Sequence, residues 1–219
     1  MAFSDWSVFN AGDVTMTQTS LDPLVGLGSL RMSAGGVSSN NTAVLIPNTL
    51  PHGFNQGRLE SLFRVQSNNA TGIKYFGLIS NISSEADPLG VANGYGMIGE
   101  IAGGSTWNTL RLVKWSGGSG ISTTFTTLDS FTIGTPVDVG DTFAFQFDWI
   151  SDVAEFGGTK LICRFQEASN FTGIPAVIDY VDAILPLITS QAEGFMVGAN
   201  TAGSSIVVNA DSSSLYEIT

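Results

Sequence analysis

The sequence predicts an all-β domain built as a sandwich or a barrel. Hydrophobic residues recur mostly with a period of two, the spacing at which a strand buries one face. Turn chemistry separates these stretches: Ala34-Gly35-Gly36, Ser67-Asn68-Asn69, Ser116-Gly117-Gly118-Ser119-Gly120, Val139-Gly140-Asp141 and Phe156-Gly157-Gly158. Many short strands at such spacing characterise sandwiches and barrels. The 219 residues are 43% hydrophobic and only 12% charged, with 26 glycines. That balance argues against disorder and against long helices. A chain of this length buries about 70% of the surface its extended form exposes, enough for one core.

The clearest strand is Thr142 to Trp149. Phe143, Phe145, Phe147 and Trp149 share one face, and Thr142, Ala144, Gln146 and Asp148 the other. Leu59, Ser61, Phe63 and Val65 alternate against Arg58, Glu60, Leu62 and Arg64. Leu161, Cys163 and Phe165 alternate against Lys160, Ile162, Arg164 and Gln166. Leu110 and Leu112 alternate against Trp107, Thr109, Arg111, Val113 and Trp115. Further strands are expected at 29–33, 43–46, 73–80, 95–101, 122–128, 131–133, 176–180, 194–199 and 205–218. Val177, Val181, Ile184, Leu185 and Ile188 would line a helix face, but Pro186 argues against a long helix, so a strand near 177–180 followed by a loop or a short helix near 181–190 is expected. Residues 1–28 are the least regular and read as an arm or edge segment. Residues 29–219 read as a single domain.

Charge and composition exclude several chemistries. The net charge is −11, with 8 bases against 19 acids and no basic run. Nucleic acid is therefore not an expected partner, because phosphate binding needs clustered cations. Apolar runs are too short for membrane insertion. A single cysteine, Cys163, leaves no internal disulfide, and a single histidine, His52, leaves no multi-histidine zinc site. His52 sits in turn chemistry and Cys163 in a core-parity position. Residues 1–30 hold no Lys or Arg and no continuous apolar run, so no signal peptide is expected.

The order of the pieces resembles the laminin-G-like, concanavalin-A-like lectin/glucanase sandwich. The resemblance is carried by Ser29–Met32, Gly57–Val65, Tyr75–Ile79, Gly94-Tyr95-Gly96-Met97-Ile98, Leu110–Trp115, the Gly194–Gly198 element, and the closing 206–209 and 215–218 pieces. It covers about residues 28–219. It implies a jelly-roll β-sandwich of two antiparallel sheets and, commonly, glycan or protein binding.

The same family includes glycoside hydrolases, whose active strand carries paired acids at alternate positions. Two carboxyls about 5–5.5 Å apart serve retention. Glu100 has Ala102 where a partner acid is needed. Asp148 alternates with Gln146 and Ile150, not with an acid. Hydrolysis is thus the third-ranked expectation. Calcium remains an open possibility. Asp87, Asp138, Asp141 and Asp211 could each supply oxygens, but no Asp-x-Asp-x-Asp loop assigns them as ligands.

The main surface signal is parity. Arg58, Arg64, Arg111 and Arg164, four of five arginines, fall opposite the core face. Trp107 and Trp115 share the parity of Arg111, and Glu60, Gln146 and Asp148 also face away from the core. In one sheet, this set would make a polar face with aromatic platforms. It suits a glycan, an assembly contact where Trp and Arg anchor affinity, or an ion-paired outer face that fixes register. The leading expectation is a non-enzymatic virion structural protein: a capsid-decoration, fibre or tail component of a bacteriophage. It would pack against other virion proteins or itself, or adhere to a host surface. The alternative is a glycan-binding lectin module.

Overall fold

We describe a computed structural model over residues 6–11, 14–19, 29–35, 41–48, 52–69, 71–84, 86, 93–102, 106–115, 125–168, 170–184 and 186–218. The described residues form two seven-stranded antiparallel sheets packed as a jelly-roll β-sandwich. Sheet A contains β1 (Trp6–Ala11), β4 (Asn41–Pro47), β6 (Ile73–Ile82), β7 (Gly94–Ala102), β8 (Trp107–Trp115), β9 (Phe125–Val137) and β13 (Ala192–Ala199). Their spatial order is β1-β4-β13-β6-β7-β8-β9. Sheet B contains β2 (Val14–Thr19), β3 (Ser29–Gly35), β5 (Gln56–Asn68), β10 (Thr142–Asp152), β11 (Gly158–Gln166), β12 (Ala176–Asp182) and β14 (Ser205–Glu217). Its order is β12-β11-β10-β5-β14-β3-β2. The sequence segment 1–28 thus contributes edge strands β1 and β2, one to each sheet.

Parity holds in β5, β10 and β11. Phe63, Phe143, Phe145 and Phe165 point between the sheets and meet Phe76, Trp107 and Phe195 from sheet A. The rings touch at centroid distances of 5.2 Å for Phe63–Phe145, 5.5 Å for Phe76–Phe143 and 5.0 Å for Trp107–Phe143. These tilted and edge-on contacts add to the area burial of each ring.

Glycine has a specific task beside these rings. Gly57 lies directly across from Trp149, Gly94 from Trp115, Gly99 from Phe76 and Gly198 from Tyr75. A Cβ at any of the four would run into the partner ring. Each of these four rings therefore lies over a glycine on the neighbouring strand. This accounts for glycines in strand interiors, where they otherwise cost packing.

After β12 the chain takes the loop, of the loop or short helix that the sequence left open. The one helix among the described residues is α1 (Val153–Phe156), the turn between β10 and β11. Asp152 caps it by accepting from the Ala154 and Glu155 amides, and Gly157 ends it at φ 73°. Residues 183, 184 and 186–190 are not helical; Leu185 lies outside the described residues. Leu187 is instead held by its amide, which donates to the Tyr95 hydroxyl at 2.9 Å, and by its carbonyl, which accepts from Asn81 and Thr159. These contacts compete successfully with a helix that Pro186 already weakens.

Two buried ionic groups tie the sheets at their ends. Asp182 of β12 accepts from the Tyr95 hydroxyl of β7 and from the Lys114 ammonium of β8, both at 2.6 Å. Glu193 of β13 is fully buried and accepts from the Ser190 hydroxyl at 2.7 Å and the Gly53 amide at 2.8 Å. Burial pushes the Glu193 carboxyl above the usual carboxylate range, while its hydrogen bonds pull the other way.

Two predictions follow from this packing. Gly99→Ala should cost about 1–3 kcal/mol by driving the Phe76 ring off its place. Gly134→Ala, in an open part of β9 with nothing within 4 Å, should stay within about 0.5 kcal/mol of wild type. Urea melts of the two variants compare them directly. For Glu193, the raised native pKa means the folded state binds the proton more tightly than the unfolded chain. Its contribution to stability therefore falls as pH rises through the native value. Glu193→Gln should flatten the stability profile from about pH 4 upward. Parallel profiles for wild type and variant would contradict this.

Candidate functional site

The outer face of sheet B gathers the predicted polar residues into ordered rungs. Register places Tyr216 of β14 opposite Arg58 of β5, and Arg58 opposite Asp148 of β10. The next rung runs Ser214, Glu60, Gln146 and Arg164 across β14, β5, β10 and β11. The two rungs are joined by hydrogen bonds. Arg58 Nε and Nη2 donate to the two Asp148 oxygens at 2.6 and 2.8 Å, a bidentate pair. Arg164 Nε reaches Asp148 Oδ2 at 3.5 Å. Gln146 Nε2 donates to Glu60 Oε2 at 2.7 Å, and the Tyr216 hydroxyl to Glu60 Oε1 at 2.8 Å.

Burial within this band is uneven. The Asp148 side chain is 4% exposed, whereas those of Arg58 and Arg164 are 34% and 26% exposed. Glu60 and Gln146 are buried as well. The carboxylates therefore form a floor, and the guanidinium groups form its accessible upper surface. Asp148 raises the Arg58 pKa through the hydrogen bond and its charge, and burial opposes it. A buried carboxylate needs such partners: breaking a buried pair typically costs about 3–5 kcal/mol. The partial exposure of Arg58 lowers that figure here.

An apolar wall closes one side. Leu62 and Ala144 form the next rung, and Ile174 and Phe171 pack on them. Beyond that wall, Arg64 donates to the Thr142 hydroxyl at 2.8 Å. Tyr216 closes one end of the band. It is half-exposed at 47% and is the one aromatic among the large exposed hydrophobics of the described residues. A bulge in β14 between Asp211 and Ser214 aims it outward. Val208 and Ala210 point into the core, so uninterrupted alternation would send Tyr216 inward as well. Ser212, at φ 51°, supplies the kink.

Three residues expected on this face lie elsewhere. Trp107 is 2% exposed and belongs to the inter-sheet core, where it meets Phe76, Phe143 and Phe165. An irregularity between Trp107 and Thr109 reverses the parity of β8 at that point. Trp115 is also 2% exposed, on the opposite side of sheet A, packed with Tyr75, Val113 and Phe125. Arg111 is on the outer face of sheet A, bonded to Glu100 and Thr127. The tryptophans are thus core, and Arg111 is not part of the sheet B band. Tyr216 is the aromatic that parity reasoning missed, because its direction is set by a bulge.

The remaining candidates also have positions. Cys163 faces the core, and burial pushes its thiol well above the ordinary value. His52 lies within the electrostatic reach of Glu193 at sheet A. Asp141 accepts from the Asp138 amide at 2.9 Å in the β9–β10 turn. Asp87 lies outside the described residues. Among the described residues, no three His, Cys, Asp or Glu side chains come together as a metal site.

No protein-family model matches the sequence, and no curated protein matches it. Similarity to solved structures is extensive but distant. The carbohydrate-binding module CBM66 from Bacillus subtilis superposes with a TM-score of 0.59 at 12% identity, over 97% of this chain and 96% of its own. The marine PL-14 alginate lyase from Aplysia kurodai gives 0.57 at 7% identity, over 93% and 87%. The carbohydrate recognition domain of Emp46p, in its metal-free form, gives 0.54 at 9% identity, over 99% and 90%. At such identities the likeness establishes the fold alone: a jelly-roll β-sandwich.

Proposed function

We propose that this protein is a non-enzymatic glycan-binding module whose ligand lies on the outer face of sheet B. The observation that carries this reading is the two-rung band, where buried Asp148 holds two guanidinium groups and buried Glu60 holds the Gln146 amide and the hydroxyl of a half-exposed tyrosine. A saccharide presents hydroxyl groups that donate and accept, together with apolar ring faces. The band offers donors from the partly exposed Arg58 and Arg164 and the Tyr216 ring as an apolar surface, over a buried floor of Asp148, Glu60 and Gln146. The residues are held on strands and locked by mutual hydrogen bonds, so little ordering is left to binding. Two of the similar structures are a carbohydrate-binding module and a carbohydrate recognition domain, which supports the same reading.

The non-enzymatic part rests on how the acids are used. Both oxygens of Asp148 are engaged by arginine, and both oxygens of Glu60 by Gln146 and Tyr216. Neither is arranged as a proton donor facing a substrate. Glu100, the acid singled out for hydrolysis, is paired with Arg111 on the other sheet. Lateral packing in a particle, one of the two roles expected of a virion structural protein, asks for a desolvated apolar centre with few charges. The charged band on sheet B favours a hydroxyl-rich ligand over that use.

Glycan-array binding followed by titration tests the proposal. The wild type should bind at least one saccharide class without releasing product. Tyr216→Ala should weaken that binding about tenfold, the equivalent of about 1.4 kcal/mol, while the melting temperature stays close to wild type. Product release from the bound glycan, or an array without a hit, would overturn the reading.

A further inference from the structure

The dimensions and charge of the band define its ligand more narrowly. Resting on the glycan-binding reading above, we infer that the ligand is an uncharged linear oligosaccharide that crosses the strands and engages about three sugar units.

The direction comes from the register. The polar residues occupy two rungs but span four strands, from Tyr216 and Ser214 on β14 to Arg164 on β11. Three strand-to-strand steps of about 4.8 Å make the band ~14 Å long, and two rungs on one face make it only ~7 Å deep. The wall of Leu62, Ala144, Ile174 and Phe171 blocks extension along the strands on one side. A chain lying across the strands meets Tyr216, Arg58 and Arg164 in turn; one lying along them leaves some of these unused. One sugar ring covers about one strand-to-strand step of ~4.8 Å, so the band has room for about three. Tyr216 stands at one end of that path and Arg164 at the other.

The absence of net charge on the ligand comes from the pairing. Within the two rungs, two guanidinium groups face two carboxylates. Both guanidinium groups are committed to Asp148. An acidic sugar would have to displace Asp148, whose side chain is 4% exposed, from its partners. Removing those partners from a buried carboxylate is costly. At the adjoining rim, Lys160 is paired with Asp179 at 3.4 Å. The chain as a whole carries −11, and such a field repels polyanions. Hydroxyl groups, by contrast, can add to a paired network without breaking it.

The experiment is a chain-length and charge series measured by calorimetry on the full chain. The probes are glucan, mannan and fructan oligosaccharides of one to six units, with oligogalacturonates and alginate oligosaccharides as the acidic set, each at low and at high sodium chloride. One uncharged series should gain at least tenfold in affinity from mono- to trisaccharide and then level off, with less than a twofold change with salt. Arg164→Gln, checked for folding by circular dichroism, should lower trisaccharide affinity at least fivefold. Tighter binding of an acidic series, lost at high salt, would overturn the charge inference and leave the glycan reading standing. Monosaccharide binding as tight as trisaccharide would overturn the length inference in the same way. No binding to any probe, and none on the array, would overturn the glycan reading itself and this inference with it.

Discussion

The aromatic stack between the sheets is the constraint from which the rest of the structure follows. Phe63, Phe143, Phe145 and Phe165 must leave water, and on a pleated strand that commits every second residue to the opposite face. A one-residue slip of β10 against β5 would bring Asp148 and Gln146 into the core and expose the phenylalanines. The cost of either error is several kcal/mol per residue. Core packing therefore fixes the register, and the register places Arg58 opposite Asp148 and Glu60 opposite Gln146. The candidate site is the reverse side of the core.

The glycines serve the same packing. Four strand glycines sit directly across from Trp149, Trp115, Phe76 and Tyr75. These four rings lie where a Cβ on the neighbouring strand would collide with them. This lets one chain bury Trp115 and Trp149 together with a row of phenylalanines and still keep both sheets continuous. It also leaves few aromatics at the surface, and Tyr216 is the exposed one among the described residues.

The polar band differs from an ordinary solvated sheet face in its burial. Exposed ion pairs contribute little and tolerate loose geometry. Here Asp148, Glu60 and Gln146 are buried on the side of the sheet that faces away from the core, covered by their own partners and flanked by Phe171 and Ile174. Such a network costs desolvation and gives rigidity in return. Rigidity is what a surface needs if it is to recognise hydroxyl groups without reordering. The clasp at Asp182, joining Tyr95 and Lys114 from the other sheet, holds the far edge of the same sheet B against sheet A.

The period-two pattern in 58–65, 142–149 and 160–166 is enough to determine, from sequence alone, the all-β class, the core phenylalanines and the outward direction of Arg58, Arg64 and Arg164. Alternation is a local property that pairing preserves as long as the strand is regular. Irregular strands are decided only by the tertiary structure. The break between Trp107 and Thr109 sends Trp107 into the core away from Arg111. The bulge at Asp211–Ser214 sends Tyr216 outward against the parity of Val208 and Ala210. Which strands are neighbours is likewise a long-range outcome: it separates Arg111, on sheet A, from the arginines of sheet B. A bulge inverts the faces of everything beyond it, and its position is chosen by the pairing of strands distant in sequence, so no local pattern reveals it.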